Sequence, residues 1–264
     1  MIDNPRSPRV RAVAKLAKRS ARTETGRFLV EGPQAVAEAL VSHPDHVVEL
    51  YATRAALERN AALAQRAVEA GVVIDSVSDA VLDAMADTVT PQGVVAVCRQ
   101  LTASLDDVLA AAPRLLAILE EVRDPGNAGT IIRAADAAGA DAVLLTGRSV
   151  DAYNPKVVRS TTGSIFHLPI VQGIELGPTL DAVRAAGVRV LAADIKGEDL
   201  PALRDQLAAP TAWLFGNEAR GLEDAALALA DRAVKVPIYG RAESMNLATA
   251  ASVCLYESAF AQRP

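Results

Sequence analysis

The sequence predicts an α/β protein with two domains, and three observations lead to this fold class. Short runs rich in Val, Ile and Leu alternate with helical segments along all 264 residues. Most runs of the second half are apolar throughout, which is typical of a parallel sheet covered on both faces. Residues 101–113 have the character of a connector. We therefore expect a parallel-sheet α/β domain over residues 106–264, preceded by a smaller α/β domain over residues 1–105.

The elements of the first half follow from these runs and from the residues that interrupt them. Pro33 stands in the first turn of a helix, where proline is tolerated, and Gly71 follows the end of another. We predict strands at residues 27–31, 46–52, 72–75 and 93–99, and helices at residues 33–41, 54–70 and 78–86.

The second half repeats the alternation of apolar runs and helices. The carboxyl ends of parallel strands form the edge at which open α/β sheets bind ligands, so the loops that follow these strands are candidate sites. We predict strands at residues 115–122, 142–146, 166–171, 188–194, 211–215 and 233–237, and helices at residues 128–138, 155–162, 179–186 and 246–260.

The composition excludes several classes of protein. The chain is 51% hydrophobic, which suffices for a buried core and is too apolar for a disordered protein. No apolar run approaches the roughly 20 residues of a membrane-spanning helix, and the Arg-rich N-terminus lacks the apolar segment of a secretory signal. Cys98 and Cys254 lie in apolar segments, so we expect buried, reduced thiols in a cytoplasmic protein. With three histidines and no Cys or His cluster, we expect no metal site.

The charge of the chain is unevenly distributed. The net charge is −5, but residues 1–27 carry eight basic side chains against Asp3 and Glu24, a local charge of +6. Such a segment can bind phosphates by counterion release whatever the total charge, and a solvated basic helix is an equal alternative. The eight side chains are Arg6, Arg9, Arg11, Lys15, Lys18, Arg19, Arg22 and Arg27.

The first of three polar segments covers residues 120–133. Its Asp-Pro-Gly-Asn run is strong turn chemistry, and Asn127 is well placed to cap the following helix. Capping does not explain Arg133, which interrupts a helix of small and apolar residues. Two interpretations stay open for Arg133: a functional cation, or an exposed side chain paired with Asp136 three residues further on.

The second and third polar segments have a similar density of polar groups. The second runs from a strand into a loop bounded by Gly216 and Gly221, with Asn, Glu and Arg between them. This loop lacks the Lys-Ser/Thr of a phosphate-binding P-loop, and the chain has no G-x-G-x-x-G fingerprint. In the third segment, residues 236–250, Ser244 and Asn246 precede the final helix, either as helix caps or as part of a binding loop.

In their order and spacing, the three segments resemble the signature motifs of the SpoU family, the RNA ribose 2′-O-methyltransferases of the SPOUT class. The resemblance covers residues 115–260. It rests on Asn127 and Arg133, on the run Phe-Gly-Asn-Glu-Ala-Arg-Gly-Leu and on the run Glu-Ser-Met-Asn-Leu. The first half resembles the substrate-binding domain often found ahead of it, through the run Arg-Phe-Leu-Val-Glu-Gly at residues 27–32. That domain is similar to a small RNA-binding ribosomal protein.

The resemblance implies a methyltransferase built on a deep trefoil knot, with S-adenosylmethionine as methyl donor and a homodimer that completes the site. It implies an RNA substrate, ribosomal RNA rather than tRNA because of the N-terminal domain, and no metal. The implied catalytic residues are Asn127, Arg133, Glu218, Ser244 and Asn246, and those implied for the cofactor pocket are Thr146, Phe215, Gly216, Ile238 and Leu247.

The resemblance, together with the chemistry of methyl transfer to a hydroxyl, implies roles for these residues. We interpret Arg133 as a cation that stabilises the developing 2′-oxyanion, because guanidinium stays protonated in almost every protein setting. Glu218 would hold Arg133 in place. Gly216 and Ile238 would offer backbone groups to the adenine, and His167 would pack rather than act as a base.

Two rival functions stay open. One is a non-catalytic RNA-binding protein that kept the fold, which is disfavoured because a family-type residue occupies every polar position of the implied site. The other is a nucleotide-binding α/β enzyme that acts on a small molecule, which is disfavoured by the absent glycine-rich fingerprint and the basic N-terminus. A tRNA-directed methyltransferase is a further alternative to an rRNA-directed one.

Overall fold

The computed structural model describes residues 1–263, which divide into two compact units. The first unit contains Met1–Leu101 and Tyr153–His167, and the second contains Thr102–Ala152 and the chain from Leu168 onward. The first unit is therefore discontinuous, because a segment from beyond residue 150 belongs to it. None of the helices within residues 1–263 is long and apolar enough to cross a membrane.

Helices and strands alternate along both units. The α-helices are α1 (Pro8–Lys15), α2 (Arg19–Thr25), α3 (Pro33–Ser42), α4 (Arg54–Arg59), α5 (Ala61–Glu69), α6 (Asp79–Met85), α7 (Leu105–Ala110), α8 (Pro125–Ala137), α9 (Pro155–Thr161), α10 (Leu176–Ala185), α11 (Asp224–Leu227) and α12 (Leu247–Gln262). The strands are β1 (Arg27–Glu31), β2 (Val47–Ala52), β3 (Ile74–Ser76), β4 (Val94–Arg99), β5 (Leu115–Glu120), β6 (Ala142–Thr146), β7 (Ile170–Ile174), β8 (Arg189–Asp199), β9 (Thr211–Phe215) and β10 (Arg232–Lys235). Short 3-10 helices cover Pro44–His46, Ser164–Phe166 and Leu200–Ala208.

The first unit is built on a mixed four-stranded sheet in the order β1-β4-β2-β3. Strand β4 runs antiparallel to β1 and β2, while β3 runs parallel to β2. Hydroxyl side chains begin several of its helices: Ser7, Thr53 and Ser78 each accept a hydrogen bond from the backbone N–H three residues further on. Helices α1 and α6 bury their apolar sides against the sheet, where Val13 and Val95 share one buried cluster.

The chain around α9 completes the first unit. The Phe28 ring of β1 lies 4.6 Å from the ring of Tyr153 and 6.0 Å from the ring of Phe166, measured between centroids. On α9, Arg159 forms an ion pair of 2.8 Å with Glu31, a carboxylate whose side chain is only 5% exposed. Aromatic packing and a shielded ion pair therefore both depend on residues that are distant in the sequence.

The second unit is a six-stranded sheet in the order β10-β8-β9-β5-β6-β7, and every neighbouring pair is parallel. Adjacent residues of β9 point to opposite faces, and helices cover both. Leu214 joins a buried cluster with Leu180 of α10, while Trp213 donates its indole N–H to Ser258 of α12 at 2.9 Å. This parallel sheet and the smaller N-terminal unit confirm the predicted fold class.

Several segments of the chain differ from the sequence-based expectation. The strand expected over residues 166–171 lies at Ile170–Ile174, because Ser164–Phe166 form a 3-10 helix, and two further segments differ at helix ends. The helix predicted over residues 54–70 is two helices, because Asn60 leaves the helical conformation and its side-chain amide donates to the Ala56 carbonyl at 2.8 Å. The connector expected over residues 101–113 contains α7, which the Ser104 hydroxyl caps. In both places a short polar side chain satisfies helix-end groups, and this decides where the helix begins or stops.

The helix after β5 begins earlier than predicted. Helix α8 starts at Pro125, and the Asp124 carboxylate caps it by accepting the Asn127 N–H at 2.8 Å. The expectation that Asn127 caps this helix is therefore wrong. Proline fits the first helical position without loss of a hydrogen bond, so the cap falls on the residue before it.

Candidate active site

The polar segments follow strands of one sheet. Strands β5 and β9 are parallel neighbours in register, with Leu119 opposite Phe215, so the loops that leave their carboxyl ends start side by side. The third segment follows β10 and leads into α12, which packs against α8. The topology therefore directs all three segments toward the N-terminal end of α8.

The N-termini of α8 and α12 are joined by an amide pair. Asn246 donates its side-chain N–H to the Asn127 side-chain carbonyl at 3.0 Å. The side-chain oxygen of Asn246 also caps α12 by accepting the Thr249 N–H at 3.1 Å. Asn127 is available for this contact because Asp124 caps α8 in its place. The first and third segments thus meet through two predicted site residues.

Glu218 joins the second segment to the first. Its carboxylate accepts the backbone N–H of Asp124 at 3.0 Å and that of Arg123 at 3.3 Å. Its neighbour Asn217 donates to the Glu121 carbonyl at 2.9 Å. The expectation that Glu218 holds Arg133 is wrong, because its carboxylate is engaged with the backbone ahead of α8. Asn217 is a residue that sequence reasoning missed, although it stands beside Glu218 in the motif.

Arg133 lies on the exposed side of α8. Its guanidinium forms no hydrogen bond or ion pair with any residue from 1 to 263, and the pairing with Asp136 considered as an alternative is absent among them. Ser244 is likewise exposed and makes no side-chain hydrogen bond within the described residues. The structure therefore links Asn127, Asn246 and Glu218 by direct contacts to the start of α8 and leaves the other two uncommitted.

Gly216 is required by the packing of its own loop. The chain turns back on itself through backbone hydrogen bonds between Asn217 and Gly221, of 3.0 and 2.8 Å. A Cβ atom on Gly216 would stand 2.5 Å from the carbonyl carbon of Gly221, which is closer than real contacts allow. Gly216 is buried, yet neither its N–H nor its carbonyl forms a backbone hydrogen bond with residues 1–263.

Not all of the residues expected to line the cofactor pocket lie at the same loops. Ile238 and Leu247 are half-buried at the two ends of the third segment, and Phe215 is fully buried beneath Gly216, its ring stacked on Trp213. Thr146 stands apart from them: it ends β6, which β5 separates from β9. Its hydroxyl is buried and already donates toward the Glu120 carboxylate at 2.5 Å.

The pKa values of two consecutive carboxylates at the end of β5 are shifted in opposite directions. Burial raises the pKa of Glu120, and this outweighs the hydrogen bond from Thr146. A hydrogen bond from the Arg123 guanidinium, assisted by the Arg148 backbone N–H, lowers the pKa of Glu121 to about 2. The sequence offered one signal for them, a pair of acidic residues at the carboxyl end of an apolar strand. No group of three or more metal-binding side chains occurs in the described part of the chain.

A parallel α/β sheet with polar loops assembled beyond its carboxyl ends places the second unit in the class of α/β ligand-binding domains. Family comparison identifies which one: the chain belongs to the SpoU rRNA Methylase family, whose model matches residues 114–256. A second model, RNA 2′-O ribose methyltransferase substrate binding, matches residues 29–103. The family predicted from the three motifs is therefore confirmed.

Relatives and solved structures agree with this family. A 23S rRNA (guanosine(2553)-2′-O)-methyltransferase of Bacillus subtilis is 36% identical over 97% of this chain and 97% of its own length. A 23S rRNA (uridine(2479)-2′-O)-methyltransferase of Streptomyces viridochromogenes is 34% identical over 93% of this chain and 86% of its own. The SpoU methyltransferase AviRb of that organism, in complex with the cofactor AdoMet, has a TM-score of 0.81 and 33% identity, with coverage of 96% and 98%. An AdoMet-bound rRNA methyltransferase of Sinorhizobium meliloti has a TM-score of 0.82 and 31% identity, with coverage of 97% and 96%.

Proposed function

We propose that this protein is an S-adenosylmethionine-dependent methyltransferase that methylates a ribose 2′-hydroxyl of ribosomal RNA. The observation that carries the proposal is the assembly of three motif segments at the start of α8. Asn246 bonds Asn127, Glu218 holds the backbone of Asp124, and the Arg133 guanidinium stays uncommitted. The names of the two relatives support rRNA as the substrate, and they include both guanosine and uridine as the methylated nucleoside.

The loop around Gly216 fits an adenine-containing methyl donor. Adenine offers ring nitrogens that accept hydrogen bonds and an amino group that donates, and the N–H and carbonyl of Gly216 complement this edge. Ile238 and Leu247 supply apolar contacts, and the buried Phe215 supports the loop from beneath. When bound, S-adenosylmethionine supplies a methyl group already activated on a sulfonium. We leave Thr146 out of this pocket, because its hydroxyl is engaged on β6.

The chain itself has to orient the 2′-oxygen and favour loss of its proton. Arg133 stabilises the negative charge that develops on this oxygen and binds an adjacent phosphate. The amide pair of Asn127 and Asn246 and the exposed Ser244 hydroxyl line the approach to the oxygen. Glu218 is a positioning residue: it fixes the backbone ahead of α8 and so fixes the helix that carries Arg133.

We assign RNA affinity to residues 1–105, as the substrate-binding model over residues 29–103 supports. The structure divides the basic residues ahead of that match. Arg9 pairs with Glu49 and Asp75, and Arg22 is buried with its guanidinium on backbone carbonyls. Five others are exposed and form no ion pair within residues 1–263: Arg6, Arg11, Lys15, Lys18 and Arg19. Because ribosomal RNA is the substrate, we place the protein in the cytoplasm.

We further propose a homodimer through α12 and a trefoil knot in the second unit. Helix α12 buries Ala251 and Leu255, and it also exposes the rings of Tyr256 and Phe260, which lie 5.6 Å apart. An exposed aromatic pair on a helix that already has a buried face is typical of a subunit contact. The likeness to SpoU methyltransferase structures supports the knot.

Methyl transfer from isotope-labelled S-adenosylmethionine to total RNA tests the proposed activity, followed by mapping of 2′-O-methyl sites. We expect label in ribosomal RNA with the wild-type protein and a strong loss of label with Arg133→Ala. RNA binding without any transfer would support the non-catalytic alternative. A mapped site in tRNA would contradict the assignment to ribosomal RNA.

A further inference from the structure

A cavity of about 270 Å³ opens at the carboxyl ends of β5, β6 and β9. It lies on the α10 and α11 side of the loop that contains Asn217 and Gly221. Its volume is sufficient for one heterocyclic base. Its lining includes three carboxylates, apolar side chains and two exposed arginines: Glu120, Glu121, Glu223, Leu222, Leu229, Arg148 and Arg220.

Gly147 allows two of these carboxylates, Glu120 and Glu121, to lie close together. A Cβ atom at this position would stand 2.9 Å from a Glu121 carboxylate oxygen and 3.1 Å from one of Glu120. Of the two, Glu121 is committed to the fold: its oxygens accept from the Arg148 N–H at 2.8 Å and the Arg123 guanidinium at 2.5 Å. Glu121 therefore has little capacity left for a ligand.

Glu120 is not committed in this way. Within residues 1–263 its carboxylate accepts one hydrogen bond, from Thr146, and no cation lies within ion-pair distance. A half-buried carboxylate with unused acceptor positions carries a desolvation cost that a ligand with N–H donors would offset. The raised pKa of Glu120 agrees with a shortage of donors around it.

We propose that this cavity binds a guanine base of the RNA substrate, with the Glu120 carboxylate accepting hydrogen bonds from the base N1–H and 2-amino group. The RNA substrate is taken from the proposed function, and the base assignment comes from the cavity. Guanine has two adjacent N–H donors on its Watson–Crick edge, which match the two oxygens of a carboxylate.

The other three bases match Glu120 less well. Adenine and cytosine each place an acceptor nitrogen next to the amino group, and uracil flanks its single N–H with two carbonyls. Each of these acceptors would face a carboxylate oxygen and repel it. Leu222 and Leu229 provide apolar surface for the faces of the base. The exposed guanidinium groups of Arg148 and Arg220 stand at the rim, where a phosphate of the same nucleotide would lie.

Mononucleotides test this base assignment directly on the full-length protein. Binding of guanosine, inosine and adenosine 5′-monophosphates is followed by titration calorimetry and by saturation-transfer NMR. Inosine differs from guanosine only by the missing 2-amino group. We expect guanosine monophosphate to bind about tenfold more tightly than either of the others. Equal binding of all three would overturn the proposal, as would no saturable guanosine monophosphate binding up to about 10 mM.

Three variants assign the effect to this cavity. In Glu120→Gln an N–H replaces one acceptor oxygen, so we expect the preference for guanosine over inosine monophosphate to disappear. The control is Glu58→Gln, an exposed carboxylate that pairs with Arg54 and does not line the cavity, and it should keep the preference. Leu229→Trp fills the cavity from a side chain that is 37% exposed, so it should weaken binding of the guanine nucleotide in a folded protein. If Glu120→Gln retains the preference for guanosine over inosine monophosphate, the proposal is wrong.

Methyl transfer measured on the same preparations separates this inference from the proposed function. Protein that discriminates guanosine monophosphate but transfers no methyl group to any RNA would contradict the proposed activity and support the cavity assignment. Protein that methylates RNA but binds the three nucleotides equally would contradict the cavity assignment alone.

Discussion

Arg133 and Glu121 are charged side chains of the second unit that differ in how fully the fold binds them. Glu121 has a φ of 55°, a conformation that costs free energy for a non-glycine residue. Its carboxylate and its carbonyl are both held, by Arg123, by the Arg148 N–H and by Asn217. Arg133, by contrast, is bound to no described residue. An uncommitted guanidinium keeps all of its N–H donors for a substrate, whereas the Glu121 carboxylate uses its acceptor positions within the fold.

Substitution of Arg133 tests its role in the reaction. Arg133→Ala should lower kcat by about 10²–10³ with nearly unchanged affinity for S-adenosylmethionine, because the lost interaction forms only as charge develops. Arg133→Lys keeps the charge but loses the planar fork, so we expect a defect close to that of alanine. Single-turnover methylation and donor titration on folded variants measure both quantities. Near-normal turnover of Arg133→Ala would remove this residue from the mechanism.

The depressed pKa of Glu121 predicts a pH-dependent contribution to stability. Its ordinary pKa of 4.5 falls to about 2 in the folded protein, so the charged form stabilises the fold above about pH 4.5 and this contribution is lost as the pH falls toward 2. Glu121→Gln should lower the free energy of unfolding by about 1–3 kcal/mol at neutral pH. Urea unfolding at several pH values should show the difference from wild type shrinking below about pH 4.5. Glu58→Gln, which removes an exposed ion pair with Arg54, is the control, with an expected effect below about 1 kcal/mol.

At the level of helices and strands, local sequence signals and long-range contacts decide different features. Strands β5, β6 and β9 were predictable because each is a continuous apolar run, fully buried at nearly every position. The capping of α8 was not, since Asp124 and Asn127 are both good capping residues and only Pro125 favours the first. The contact of Glu218 with the Asp124 N–H joins residues 94 positions apart, and no local pattern specifies it. The motifs thus indicated candidate site residues and left their partners undetermined.

The loop after β9 offers a test at this scale. Gly216→Ala places a Cβ atom against the Gly221 backbone, so the loop has to shift. We expect affinity for S-adenosylmethionine to fall by about tenfold or more, with a loss of stability of about 1–3 kcal/mol. Calorimetric titration and thermal unfolding measure the two effects. Gly177→Ala is the matched control, because open space surrounds Gly177 on α10 and the change should leave both quantities nearly unchanged. Equal behaviour of the two variants would show that the loop has room for a side chain.

At the level of the whole molecule, the net charge is −5, yet the basic residues near the N-terminus fall into two groups with different environments. Some cations near the N-terminus are part of the fold, as the pairing of Arg9 with Glu49 and the burial of Arg22 show. Others project into solvent without a partner in the described chain. The sequence revealed the excess of positive charge but could not separate the two groups, because the pairing of Arg9 and the burial of Arg22 both depend on the folded structure.

The exposed basic residues should contribute phosphate contacts. If the four on α1 and α2 and between them bind phosphates, the quadruple change Arg11→Ala, Lys15→Ala, Lys18→Ala, Arg19→Ala should weaken RNA binding and reduce the salt slope of the affinity by about 3. Filter binding or fluorescence anisotropy across a salt series measures both. Arg204→Ala removes an exposed cation of the second unit and serves as the control. An unchanged slope would favour the alternative of a solvated basic helix.

The oligomeric state provides the second test at this scale. We expect wild-type protein to be a dimer by light scattering at micromolar concentration. Phe260→Glu should give a monomer, because it places a charge in the centre of the proposed contact. The control is Val41→Glu in the first unit. Val41 is 61% exposed and Phe260 is 59% exposed, and the Val41→Glu protein should remain a dimer. A wild-type monomer with full activity would rule out the proposed dimer.

The discontinuity of the first unit affects how the protein forms during translation. The ion pair between Arg159 and Glu31 joins residues 128 positions apart. The ring of Phe28 can pack against Phe166 only after Phe166 has been synthesised. At about 5–20 residues per second, synthesis of the stretch between residues 101 and 167 takes about 3–13 s. During that interval the nascent first unit exposes apolar surface that only later residues cover. A ribosomal pause after residue 101 should therefore favour misfolding or chaperone capture, whereas a pause placed well after residue 167, once that segment has left the exit tunnel, should let both units fold together.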